Sequence, residues 1–116
     1  MLSNKNRLSK KDEIARVFKS GRSFYSDGLG IRVVKNNLEL SRFCFIVSSK
    51  VSKKAVDRNR IKRQLRNIIL LKLAKIKPGF DFLVLVLPTI LGQKSGEIDR
   101  DITAILNKLG LILNKK

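Results

Sequence analysis

The stretch "FLVLVL" at residues 82–87 constrains the fold of this chain more than any other part of it. Successive side chains of a strand point to opposite faces, so a half-buried strand alternates apolar with polar residues. Here both parities are apolar, and the strand has to be covered on both sides. "KPGFD" breaks whatever helix precedes it, and Pro88, which has no N–H for a ladder, closes it. The 116 residues fit one compact domain over residues 1–116, so the covering elements must come from the same small unit.

Those elements can be read in turn. Ser9 is followed three residues later by Asp12, a variant of the capping box. Ile14, Val17 and Phe18 then recur at helical spacing until Gly21, which predicts a first helix over about residues 10–20. Asp27 and Gly28 signal a turn, and "LGIRVVK" reads as a strand rich in β-branched residues. Asn36 and Asn37 open a hairpin connection to "RFCFIVSS", a second strand read as antiparallel to the one before it. Ile61, Leu65, Ile68, Ile69 and Leu73 mark a second helix reaching about residue 75. Its start falls either at an Asp57 cap or earlier, near Ser52. Ser95 caps a last helix with Ile98, Ile102, Ile105, Leu106 and Leu109 on one face and Gly110 after it. The predicted order is helix, two or three strands, helix, strand, helix, with "LPTILGQKSGE" as the main loop.

Charge bounds the partners. Lys and Arg number 26 against nine acids, a net +17, and self-repulsion of that size calls for a polyanion to neutralise it. Nucleic acid is the first candidate and an anionic membrane surface the second, but no apolar run approaches the roughly 20 residues of a membrane span. The N-terminal "MLSNKNRLSKKDE" lacks the apolar centre of a secretory signal, which places the chain in the cytoplasm. With no histidine and a single cysteine, disulfides within the chain, Cys/His zinc sites and histidine acid/base chemistry are excluded. Cys44, inside "FCFIV", reads as a small buried strand residue. Asp99 and Asp101 are two apart on a helix and face different ways, and Asp12 and Glu13 suit the first turn of another. No catalytic pair or metal site emerges.

The polyanion site is concentrated in "RNRIKRQLRN", residues 58–67. At about 100° per residue, Ile61, Leu65, Ile68 and Ile69 share one face, while Asn59, Lys62, Arg63 and Arg66 cluster across the other. Arg60 lies further round the polar side, and Arg58 near its border at the N-terminal end, where the helix dipole favours an anion. A merely solvated face mixes signs, yet residues 50–66 hold one acid, Asp57, against eight basic residues. Phosphate offsets such crowding, and arginine adds bidentate geometry. No helix-turn-helix partner or heptad zipper accompanies the helix, so DNA is not expected. Phe18, Phe24, Tyr25, Phe43 and Phe45 fall near the first helix and the sheet, where one or two on an open sheet face could stack unpaired bases.

"RNRIKR", preceded by "VSSKVSKKAVD" and followed by "QLRN", resembles the signature of the bacterial ribonuclease P protein component. "VFKSGR" at the end of the first helix, the strand leading into "VSSK", "GFDFLVLVLP" and the terminal amphipathic helix follow that family's order, so the resemblance covers nearly the whole chain. It implies an α+β fold, αβββαβα, with a central, mostly antiparallel sheet and a left-handed βαβ crossover, against the usual right-handed rule. It also implies a division of labour: a partner RNA, ribonuclease P RNA, uses magnesium to hydrolyse the 5′ leader from precursor tRNA, and the protein binds both that RNA and the leader, with no cofactor of its own. By position, Arg58, Asn59, Arg60, Lys62, Arg63 and Arg66 would contact the RNA, with Lys50, Lys53 and Lys54 in the adjoining crossover. Phe18, Arg32 and Ser48 would belong to a leader-binding cleft between the first helix and the sheet. Ile14 stands where the family often has Phe, Arg32 where an aromatic or apolar residue is common, and Ser49 where the first of two lysines is usual. The contrasting expectation is a structural RNA-binding module of ribosomal-protein type, with no leader cleft.

Overall fold

The computed structural model describes residues 4–113. The first three residues of the N-terminal stretch and the last three of the 1–116 domain lie outside the described residues. The elements are α1 (Lys11–Ser20), β1 (Arg22–Tyr25), β2 (Leu29–Lys35), β3 (Arg42–Ile46), α2 (Ala55–Lys72), β4 (Phe80–Val86) and α3 (Ser95–Lys108). This is the expected αβββαβα order. The four strands form one mixed sheet in the order β1-β2-β4-β3, with β1/β2 and β2/β4 antiparallel and β3/β4 parallel. A parallel pair needs a long crossover, and α2 supplies it.

The hairpin expected between β2 and β3 is not formed, because β4 lies between them. β4 is the strand that is apolar on both parities, so an interior position with cover on both faces suits it best, and β3 is displaced to the edge. The two asparagines do other work. Asn36 Nδ2 donates to Asp81 Oδ1 at 2.9 Å and to the Leu40 carbonyl at 3.1 Å. Asn37 takes a left-handed φ of 61°, a conformation asparagine tolerates better than most residues. The hairpin that does form joins β1 to β2, where the Ser26 N–H donates to the Leu29 carbonyl at 2.8 Å.

The sheet divides the interior in two. Leu29, Ile31 and Val33 of β2, Phe43 and Phe45 of β3, and Phe82, Val84 and Val86 of β4 face α2 and α3 and form the larger core. Phe43 and Phe82 stack within it, ring centroids 4.7 Å apart. On the other face Val17 of α1 packs with Leu8 and Leu83, flanked by half-buried Ile14, Val34, Cys44 and Ile46. β4 is therefore covered on both sides, as its sequence requires.

Two predicted caps are not made. Residues just before α1 run along the free edge of β3, where the Leu8 N–H donates to the Phe43 carbonyl at 2.9 Å and Leu8 is buried. That path shifts the cap position to Lys10, which makes no side-chain cap bond, and Ser9 is left outside the helix. Ser95 lies inside the first turn of α3; the N-cap is Lys94, whose N–H donates to Glu97 Oε1 at 3.2 Å. α2 begins at Ala55, between the two anticipated starts, after a turn in which Ser52 Oγ accepts from the Lys54 N–H and donates to Asp57 Oδ2. It ends at Lys72, and a 3-10 turn, Leu73–Lys75, completes the stretch read as helix. Gly110 ends α3 as expected, at φ 75°, with the Leu111 N–H donating back to the Leu106 carbonyl at 2.9 Å.

Candidate nucleic-acid interface

α2 is fastened by the predicted face, with Ile61, Leu65, Ile68 and Ile69 all buried. Its opposite face exposes Asn59, Arg60, Arg63 and Asn67. The side chains of Asn59 and Arg63 have no partner among the described residues, and the one ion pair of Arg60, to Asp57 at 3.5 Å, is exposed. These groups are free to take phosphate. Lys50, Lys53 and Lys54 stand exposed on the turns leading into α2, held there by buried Val51, whose N–H donates to the Ser48 carbonyl. Arg58 differs from the others: half-buried, it donates to the Ser52 carbonyl at 2.8 Å and so braces the entry turn.

On one flank α2 leans towards β3. The Arg66 guanidinium lies 6.0 Å from the centroid of the Phe45 ring, an arrangement that attracts a cation to the ring face. Burial pushes the Cys44 thiol up from its ordinary value, partly countered by the positive charges of Lys62 and Arg66. Cys44 is half-buried on the α1 side rather than in the larger core. Arg7 joins Arg66 here, since the N-terminal segment bridges to Phe43 and the two arginines line one pocket of about 100 Å³ with Cys44 and Phe45. Sequence reasoning missed Arg7. The basic run "NKNRLSKK" was visible, but its docking on an edge strand was not.

The second surface is the sheet face that carries α1. Register places Arg32, Leu83 and Cys44 in one row across the sheet, and Gly30, Leu85 and Ile46 in the next, with Tyr25 opposite Gly30. α1 covers the first row through Val17, and in the second Leu85 and Ile46 are only half-buried. Tyr25, exposed, lays its ring over Gly30, where a Cβ would come within 2.1 Å of the ring. Only glycine accommodates this. Phe18, also exposed, stands on the last turn of α1. Arg32 does not project freely into the opening: its Nε donates to the Val17 carbonyl at 3.3 Å and a terminal nitrogen to the Phe18 carbonyl at 2.6 Å. A cation at those last carbonyls suits the negative end of the helix dipole. Phe18 and Arg32 are thus brought together. Ser48 is not with them, standing exposed beyond the end of β3 on the opposite edge of the sheet. Tyr25 is the aromatic that the open face presents, though its burial state could not be read from a four-residue strand.

α1 is held over this face by few apolar contacts and several polar ones. Arg42 of β3 pairs with Glu13 at 2.9 Å and, through two nitrogens, with the wholly buried Asp81 at 2.7 and 2.8 Å. Hydrogen bonding to Asp81 raises the Arg42 guanidinium above its ordinary value, burial opposes this, and Glu13 reinforces it. Arg16 donates to the Lys35 carbonyl at 2.6 Å.

A sequence model of the family Ribonuclease P matches residues 2–110. The chain belongs to the ribonuclease P protein family. It is 36% identical over 109 residues to the "Ribonuclease P protein component" of a Pseudanabaena strain, covering 93% of this chain and 94% of that one. To the protein of the same description from Syntrophomonas wolfei it is 39% identical over 112 residues, covering 96% and 92%. A Staphylococcus aureus RNase P protein, a mutant with defective mRNA degradation activity, superposes with a TM-score of 0.85 at 22% identity, covering 92% of this chain and 90% of that one. At that identity the likeness speaks for the fold. In this ribonuclease P protein, then, the basic helix and the partly open sheet face are two separate surfaces on one scaffold.

Proposed function

We propose that this chain is the protein subunit of a ribonuclease P holoenzyme and serves it by binding RNA in two ways. The exposed face of α2, with Lys50, Lys53 and Lys54 before it, neutralises phosphates of the ribonuclease P RNA. The open sheet face beside α1 takes the single-stranded 5′ leader of precursor tRNA, stacking unpaired bases on Tyr25 and Phe18. Hydrolysis belongs to the RNA on this reading, with its magnesium, and the protein contributes positioning and charge in the cytoplasm. Among the described residues no helix is long and apolar enough to cross a membrane.

The observation that carries the reading is the pairing of a solvent-facing cationic helix face with exposed aromatic side chains on the other side of the same sheet. A structural RNA-binding module needs the first and has no use for the second. Leader length separates them. Reconstituted with ribonuclease P RNA, the protein should bind precursor tRNA bearing a leader of several nucleotides about tenfold or more tighter than mature tRNA, in keeping with one or two stacked bases. Tyr25→Ala should remove most of that preference. Equal affinity for all leader lengths would leave only the structural role.

A further inference from the structure

A cavity of about 510 Å³ opens between the middle of α2 and the Pro88–Gly92 turn that leads to α3, on a part of α2 that does not include Arg66. Gln64 spans one side of it, its Nε2 donating to Ser95 Oγ at 2.6 Å. That bond leaves the Gln64 carbonyl oxygen as an acceptor and the Ser95 hydroxyl proton as a donor. Arg60, Arg63 and Asn67 add two cations and a second amide. Ile61 and Ile90 are buried in its floor, and Leu91, 55% exposed, offers a large apolar side chain at its mouth.

We propose that this cavity receives one unpaired nucleotide of the partner RNA, its phosphate held by Arg60 and Arg63, its base laid on Leu91 and its edge read by the amides of Gln64 and Asn67. The inference rests on the RNA-binding reading above and makes it specific. Volume fits, since small-ligand sites span roughly 300–1,000 Å³. Chemistry fits too: guanidinium groups for phosphate, amides offering both donor and acceptor, and an apolar surface for a π-face. Continuity selects RNA over a free metabolite, because Arg63 and Asn67 also line a neighbouring hollow on the polar face of α2 with Asn59 and the half-buried Arg66. A backbone neutralised along that face passes the mouth of the cavity. Duplex RNA hides its base edges in a deep groove, so sequence is read where a nucleotide is splayed out. The basic face gives affinity and this cavity gives register.

Leu91→Ala and Gln64→Ala, each in the full chain, are titrated with ribonuclease P RNA over a series of salt concentrations, and the RNA in each complex is probed by 2′-hydroxyl acylation. Each variant should weaken binding about tenfold at fixed salt, Leu91→Ala by losing the apolar surface under the base and Gln64→Ala by losing a hydrogen bond to its edge, without changing the salt slope, because no phosphate contact is removed. One single-stranded nucleotide protected by the unsubstituted protein should become reactive, with the remaining footprint intact. Leu91 is exposed, so its truncation leaves the fold in place even if Gln64→Ala loosens α3. Unchanged affinity and footprint with Leu91→Ala would discard the cavity while leaving the basic-helix reading standing. Failure of the unsubstituted protein to bind the RNA at all would discard both.

Discussion

Asp81 is wholly buried, and Arg42 and Asn36 converge on its carboxylate from two other parts of the chain. Removing one partner of a buried, hydrogen-bonded ion pair strands the other, at a cost of about 3–5 kcal/mol. Asp81→Asn should therefore lower unfolding stability by about 3 kcal/mol in urea titrations, whereas Glu13→Gln, whose carboxylate is partly solvated, should cost no more than about 1 kcal/mol. Equal small effects would show that the pair does not tie the sheet together. None of this was legible in the sequence, where Asp81 read only as part of the break before a strand. Its partners lie 39 and 45 residues away, and a chemical preference for burial with arginine has no local signature. Arg32 was equally opaque. Its place in the sequence suggested a group facing nucleic acid, but its guanidinium is held at the last turn of α1, donating to the Val17 and Phe18 carbonyls. Arg32→Met should therefore act through α1: amide exchange in the last turn of α1 should quicken, and leader-dependent binding should fall with it. Lost leader binding with unchanged exchange would instead make Arg32 a direct contact.

The helices were the most legible elements, because a period of 3.6 residues is written into their apolar positions and depends on no distant partner. In α2 every residue assigned to the buried face is buried. Element ends were less legible: Ser9 and Ser95 are good capping residues by type, yet an edge strand draws the first away and Gln64 occupies the second. Separate faces make separate predictions. Arg63→Ala should reduce the salt slope of RNA binding by about one unit and leave stability unchanged, while Ile68→Ala should cost about 2–5 kcal/mol of stability. Arg66→Ala stands between them, losing a phosphate contact and also about 0.5–1 kcal/mol of packing on the Phe45 ring. Denaturation and salt titration on the same three variants give the comparison. A stable Ile68→Ala protein with lost RNA affinity would mean that the faces are reversed.

At the scale of the molecule, composition and the family resemblance anticipated a basic α+β domain, but strand order was not recoverable from pattern alone. β3 and β4 pair across the whole of α2, and a parallel pairing at that separation leaves no turn signal; local reading therefore favoured a hairpin between β2 and β3 that the sheet does not contain. The same order has a functional consequence. With β4 inside and β3 at the edge, α2 is carried on one face of the sheet and the aromatic opening beside α1 on the other, so one small core presents two RNA-binding surfaces. The central claim is that this chain holds RNA and leaves the cutting to its partner. Its direct test is cleavage of precursor tRNA at low magnesium by ribonuclease P RNA, by the protein, and by the two together. The account predicts little cleavage by RNA alone, none by protein alone, and restored leader removal when both are present. Reproducible cleavage by the RNA-free protein, or no rescue by the mixture, would contradict it.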